Sequence, residues 1–394
     1  MRSLLTRWLG CGAAIIFLAA ASCQASDHPQ QQTSVFANGK GVSVAGAVFA
    51  ARAGAALAYQ IQPNRWSPAL LARLKASGFG IIRLVTTPAP LMTIDAQAQG
   101  QALAHIEKLI DQGNSAGFTV IVDLHFWPTD KPLWQDNVVP DSKLRGELIA
   151  AQVALAKRLA TRRNRVVLEL LNEPPCYVGK VPFDWPSIQR IMVSAVRAVA
   201  PRLPLILTGC RGLPKSLTTI DPSPYSGDPN INWTFHYYEP SPFVGQENAE
   251  LNSVPFPPDP ALAASAEKLR AMAPIGTVAA RPATLQELRA YLLNNRGQAT
   301  IANDMAEVER WAKRYAIAPQ KIYIGEFGTT MTDTPATRRV RPDELRWILA
   351  VRQESERAGF AWSYFPLPEG KSLDYDPSLK FFKADTLKAL GLKP

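Results

Sequence analysis

Leu168-Glu169-Leu170-Leu171-Asn172-Glu173-Pro174 is an apolar run that ends in polar residues and a proline. A short, continuous apolar run of this kind reads as a strand near 165–172, buried on both faces. Alternation along it gives Glu169 and Glu173 the same parity, so both should point into the same interior. Seven further runs of this type lie near 41–49, 79–86, 118–126, 203–209, 231–238, 321–327 and 360–366. Helical patterns fall between them, at about 66–77, 98–116, 142–160, 185–199, 301–316 and 342–358, and a short, weakly helical stretch at 213–219 follows the fifth strand. Strands alternating with helices argue for a parallel sheet with crossover helices. Eight such units predict an α/β protein of the closed (β/α)8 TIM-barrel type rather than an open doubly wound sheet. From Glu239 to about Thr300 a long insertion follows strand six, Pro-rich at first, with a short helix expected over Ala261 to Ala273.

The 394 residues are 47% hydrophobic and 19% charged, enough for a large core and unlike a disordered chain. The formal charge of +10 is spread along the chain, with its densest clusters at Arg162-Arg163-Asn164-Arg165 and Arg338-Arg339-Val340-Arg341. Such scatter reads as a solvated basic surface, and no nucleic-acid partner is expected. Arg2 and Arg7 precede the apolar, small-residue run Ala13 to Ala21, which is too short to span a bilayer and reads as a signal peptide. Cleavage after Ala25 leaves a flexible leader over 26–39 and a single barrel domain over 40–394. Ala20-Ala21-Ser22-Cys23 offers a second reading, a lipid anchor at Cys23. The expected location is periplasmic or secreted, and the expected state a monomer.

In a barrel of this type the active site lies at the C-terminal ends of the strands. The polar residues there are Arg83 on strand two, His125 on three, Asn172 and Glu173 on four, His236, Tyr237 and Tyr238 on six, Glu326 on seven, and Trp362 on eight. Two carboxylic acids facing each other across a barrel mouth are what glycoside hydrolysis needs. A guanidinium such as Arg83 would hold one of them ionised. Trp127, Trp134, Tyr238 and Trp362 offer aromatic faces for sugars.

With these residues in order, the chain resembles the cellulase-like glycoside hydrolase family five, over about 40–390. The segments that carry the resemblance are Leu168 to Pro174 and Ile322-Tyr323-Ile324-Gly325-Glu326-Phe327-Gly328, together with His236-Tyr237-Tyr238 and the strand-eight Trp. The resemblance implies a retaining, double-displacement hydrolase of a β-linked glycan, endoglucanase-like. It implies Glu173 as general acid/base and Glu326 as nucleophile. Asn172 would bond the sugar 2-hydroxyl, and Arg83 and Tyr238 would orient the nucleophile. His125 and His236 would line the pocket, and Trp362 would form the platform under the sugar. The sequence departs from the family at Ser43, and at Phe126-Trp127 after His125, which bears on the substrate more than on the reaction.

Glu169 and Asp123 read as buried structural carboxylates. No His-x-His, His-Glu-x-x-His or Cys-x-x-Cys is present, so neither metal nor other cofactor is expected. A glycan-binding barrel without activity would not need both glutamates together with Arg83, Asn172 and Tyr238. Of the four cysteines only Cys176 and Cys210 lie in the body of the chain; they are either a disulfide beside Glu173 or two buried thiols.

Overall fold

Each apolar run forms a strand because its residues can be buried on both sides at once, against the barrel interior and against the helix layer. The strands are β1 (Lys40–Ala53), β2 (Ile81–Thr86), β3 (Thr119–Leu124), β4 (Val166–Glu169), β5 (Leu205–Thr208), β6 (Ile231–Tyr237), β7 (Ile322–Phe327) and β8 (Ala361–Tyr364). Neighbours in sequence are neighbours in the sheet, all parallel, and β8 pairs with β1 to close it, with Lys40 opposite Trp362 and Val42 opposite Tyr364. The (β/α)8 barrel expected from the sequence is the fold. The computed structural model describes residues 35–36, 39–53, 56–60, 66–127, 133–162, 165–246, 254–265, 267–269, 285–293, 297–329, 331–335, 337–365, 373–376 and 378–394. The expected signal peptide, Cys23 and most of the leader lie outside the described residues.

The main helices are α1 (Pro68–Ser77), α2 (Ala96–Ser115), α3 (Ser142–Ala160), α4 (Trp185–Arg197), α5 (Gln298–Arg314) and α6 (Arg341–Arg357). The first four begin where a side-chain oxygen can accept from free backbone N–H groups: Ser67, Asp95, Asp141 and Asp184 each do so. The outward residues of the strands, among them Val122, Leu168, Phe235, Ile324 and Trp362, join one core with the helices.

The inward residues form a separate layer. Ile81, Ile121, Val167, Ile206, Tyr323 and Ala361 meet at the N-terminal end of the barrel, and Phe36 closes that layer from below. Phe36 is 4% exposed and stacks on Tyr323 with ring centroids 4.9 Å apart. Above this apolar floor the inward positions turn polar.

Several elements go beyond the sequence reading. β1 runs on into an antiparallel pairing with Ala56–Gln60. A small hairpin pairs Tyr177–Val178 with Val181–Pro182, a second pairs Tyr375–Asp376 with Phe381–Phe382, and a helix covers Ala384–Ala389. In the stretch after β6, the described parts are a helical turn at Ser241–Val244, a 3-10 segment at Pro260–Ala264 and a helix at Leu285–Leu293. The expected helix over Ala261 to Ala273 therefore begins as 3-10, and its end lies outside the described residues. Val254 and Phe256 are buried there. The Phe256 N–H donates to Asp343 Oδ2 (3.0 Å) and Arg346 Nε donates to the Phe256 carbonyl (3.2 Å), so this part is fastened to the start of α6.

Candidate active site

The second inward layer is charged. Arg83 from β2 is fully buried, and a buried guanidinium must have its donors satisfied. Its Nε and Nη2 donate to the two oxygens of Glu169, each at 2.8 Å. Nη2 also reaches Asn172 Oδ1 at 3.1 Å and Asp123 Oδ2 at 3.0 Å, and Nη1 donates to Glu326 Oε1 at 2.6 Å. Burial opposes the Arg83 charge, but Asp123, Glu169 and Glu326 hold its pKa well above the ordinary value. Glu169 and Asp123, read from the sequence as structural carboxylates, are thus what fixes the guanidinium.

Glu326 takes its place because β7 is irregular. The register against β6 shifts between Ile324 and Glu326, which turns Glu326 into the mouth. A Cβ at Gly325 would come within 2.7 Å of Thr234 Oγ1 and 3.0 Å of His236 Nε2, so the glycine makes room for the histidine. The Tyr238 hydroxyl donates to Glu326 Oε2 at 2.9 Å, and His236 Nδ1 lies 3.5 Å from the same oxygen. Burial alone would raise the Glu326 pKa. The charges of His236, Arg83 and His125 and the Tyr238 hydrogen bond overcome it and hold the carboxyl at about 2. Burial, then the charges of Glu326 and Glu173, keep Tyr238 protonated well above its ordinary range.

Glu173 stands past the end of β4 with φ 39°, a left-handed conformation that non-glycine residues adopt at a cost. Its surroundings impose it. The Asn172 N–H donates to the Leu124 carbonyl (2.8 Å), the Arg211 N–H donates to the Pro174 carbonyl (2.7 Å), and a disulfide joins Cys176 to Cys210. The loops after β4 and β5 are therefore stitched together beside Glu173. Gly212, also left-handed at φ 63°, lies where a Cβ would come 3.1 Å from His236 Cγ and Nδ1 and 3.4 Å from Glu173 Cγ. Glu173 Oε1 lies 2.8 Å from His236 Nδ1. Burial works against the cationic form of His236, yet the Glu326 charge and the Glu173 hydrogen bond raise its pKa.

The structure thus brings Arg83, His125, Asn172, Glu173, His236, Tyr238 and Glu326 together. His125 pairs with Asp123 (3.1 Å), approaches Asn172 Nδ2 (3.4 Å) and lies against the half-buried Trp127 ring at 4.7 Å. One oxygen each of Glu173 and Glu326, with a His236 nitrogen, lie within 4.8 Å of one another, as do ligand atoms of Asp123, His125 and Glu326. Either group has the donors for a cation, but Arg83 already supplies a positive charge to the carboxylates of the second.

Trp362 is not brought to the mouth. Ala361 joins the inward floor and Ser363 bonds the inward Tyr323 hydroxyl, so Trp362 faces outward. It is fully buried, edge-on to Phe327 at 5.6 Å, in the layer between sheet and helices. The expectation of a sugar platform at Trp362 is corrected accordingly. Strand parity gives the inward aromatic as Phe365, half-buried just past β8 with its N–H bonded to the Phe327 carbonyl (2.8 Å). Two small residues at alternate positions, Ala361 and Ser363, were the available signal.

Fold and site define a barrel glycoside hydrolase. The sequence matches the family described as Cellulase (glycosyl hydrolase family 5) over residues 37–367, and the chain belongs to that family. None of the curated proteins matches the sequence. Among solved structures it is similar to endoglucanase Cel5A from Thermotoga maritima, with 18% identity, a TM-score of 0.62, and coverage of 91% of this chain and 99% of that one. It is also similar to the cellulose synthase subunit Z from Clostridioides difficile, at 20% identity and a TM-score of 0.58, covering 89% and 98%. A tri-modular family-5 endo-β-1,4-glucanase from Bacillus licheniformis matches at 15% identity and 0.61, over 90% of this chain and 60% of that one.

Proposed function

We propose that this enzyme cleaves a β-linked glucan-like polysaccharide with retention of anomeric configuration. Glu326 is the nucleophile and Glu173 the acid/base. The observation that carries the reading is the pair itself: carboxyl oxygens from the ends of β4 and β7 within 4.8 Å of each other, sharing His236. Retaining enzymes hold their carboxyl groups about 5–5.5 Å apart, whereas inverting enzymes leave room for a water. Glu326, kept ionised by Arg83 and Tyr238, attacks the anomeric carbon as Glu173 gives its proton to the departing oxygen. Glu173, now a carboxylate, then takes a proton from the water that breaks the glycosyl ester and frees Glu326. Asn172, its Oδ1 fixed by Arg83 and its Nδ2 3.4 Å from His125 Nε2, is proposed as the donor to the sugar 2-hydroxyl. Phe365 is proposed as the surface under the sugar in place of Trp362.

A glucan is preferred because the similar solved structures are described as endoglucanases. The Thermotoga maritima enzyme has also been solved with mannotriose, so a mannan belongs in the same test. The stretch from Glu239 to about Thr300 is proposed as one wall of the cleft, supported by its start at the rim beside Tyr238. The Cys176–Cys210 disulfide fits an exported protein, periplasmic or secreted, with residues 1–25 as signal and 40–394 as a single, monomeric catalytic domain. The deciding experiment follows the first product by NMR on aryl β-cellobioside and β-mannobioside. Retained configuration is expected, and an inverted product would remove Glu326 as nucleophile. Glu326→Gln should abolish turnover, while Glu173→Gln should spare substrates with very good leaving groups.

A further inference from the structure

The small hairpin that follows Glu173 is the most unusual surface of the described chain. Its strands pair Tyr177 with Pro182 and Val178 with Val181, around a turn at the left-handed Gly179 (φ 61°). Tyr177 is 58% exposed, Val178 43% and Val181 67%. These are three of the nine exposed large apolar side chains among the described residues, gathered in five positions. A fourth, Leu213, follows the turn bonded to the hairpin's base. Clustered exposed apolar side chains mark binding surfaces.

The hairpin is also held still. Cys176 at its base is bonded to Cys210, the Phe183 N–H closes it onto the Cys176 carbonyl (2.8 Å), and the buried Trp185 anchors the exit through Nε1 to the Thr208 carbonyl (2.8 Å). A surface already ordered loses little entropy on binding. Lys180 is its only charged residue, which suits a neutral ligand.

We propose that this hairpin binds the leaving-group side of the glycan chain, with Tyr177 as the ring against which a sugar beyond the scissile bond lies. The proposal rests on the reading of Glu173 as acid/base. An acid that protonates the departing oxygen must face the leaving group, and Tyr177 follows Glu173 by four residues, within roughly 13 Å of extended chain. A phenol ring meets the C–H face of a β-linked sugar as it meets other apolar surfaces, and its hydroxyl is free to bond the sugar's rim. A protein partner fits less well, because six residues fall far short of the roughly 1,000 Å² a specific interface needs.

The test compares wild type, Tyr177→Ala and Tyr177→Phe on hexaoses of the cello, manno and xylo series and on the matching aryl biosides. On the series that the wild type cleaves, Tyr177→Ala should lose about five- to tenfold in kcat/KM on the hexaose, mostly through KM, and change less than twofold on the aryl bioside. Tyr177→Phe should restore most of the loss, and the hexaose should be cut at a different bond in the alanine variant. An equal loss on both substrates, or none on the hexaose, would overturn the role of the hairpin while leaving Glu173 and Glu326 in place. A wild type inactive on every substrate would overturn the catalytic reading and the proposal with it.

Discussion

Arg83 and Glu169 are joined by two parallel hydrogen bonds of 2.8 Å, deep in the barrel and one layer below the mouth. That fork uses Nε and Nη2 and so aims Nη1 at Glu326. Glu169 acts on the site by positioning a cation, without facing the substrate. Replacing it by Gln keeps the volume and loses the paired charge. Glu169→Gln should lower kcat on an aryl glycoside by about 10-fold or more with little change in KM, since sub-ångström misplacement is costly at a reacting centre. It should also raise the acid limb of the pH–rate profile, because Arg83 would hold Glu326 less firmly. A variant with unchanged kcat and pH profile would reduce Glu169 to packing.

The depressed carboxyl of Glu326 makes a prediction for stability against pH. Its folded pKa is about 2, below the ordinary carboxylate value of about 4.3, so its contribution is present above the ordinary value and fades as pH falls toward 2. His236 runs the other way: its raised pKa contributes below about 6.5 and is lost as pH rises through the folded value. Thermal unfolding of wild type and Glu326→Gln should therefore show a gap at pH 6 that narrows between about pH 4.5 and 2.5. A constant gap would mean that Glu326 is not held ionised by its neighbours. Tyr238→Phe, which removes one donor to the ionised form, should cost roughly 10- to 100-fold in kcat, the range expected for a hydrogen bond to a charged group.

Phe36 separates stability from catalysis. It caps the apolar floor, a full layer of side chains below Glu326. Phe36→Ala should destabilise by about 3–5 kcal/mol, as large-to-small changes in a core do. Its kcat at a temperature where the variant stays folded should be within about twofold of wild type. Calorimetry and steady-state kinetics on one preparation decide it.

The disulfide makes the converse case. It closes a loop over a sequence separation of 34, for which chain entropy gives about 3–4 kcal/mol. Cys176→Ser with Cys210→Ser should lose stability of that order. It should also lose activity on substrates with poor leaving groups, because the strained Glu173 backbone is braced by the same stitch. Thiol titration of unreduced, denatured wild type should find neither cysteine of this pair free.

The barrel was legible because its strands are short apolar runs between helices, each run demanding burial on both faces. Seven of the eight strands fall inside the expected ones, β1 runs past its expected span at both ends, and the helix starts differ by only a few residues. The convergence of Arg83, Asn172, Glu173, His236, Tyr238 and Glu326 followed from placing each at a strand end. Trp362 did not follow that rule, because one position along a strand exchanges the inside for the outside, and an aromatic is at home on either. The shift at Ile324 to Glu326 was invisible for a related reason: a bulge changes parity without leaving a mark in composition. Two-residue strands such as Tyr177–Val178 are too short for any period to show, and the hairpin beside Glu173 was missed.

Closure of the sheet between Lys40–Val42 and Trp362–Tyr364 also constrains how the molecule is made. The first strand waits for a partner that is synthesised some 320 residues later, so for most of translation β1 has no neighbour on that side. A chain stopped before Ala361 would keep two unpaired edges, on β1 and on β7, and such edges recruit other strands. Loop closure over this distance is also a slow event in folding. The nascent protein is thus better kept unfolded until its last strand has emerged, and fragments lacking β8 should be recovered as aggregates rather than as partial barrels.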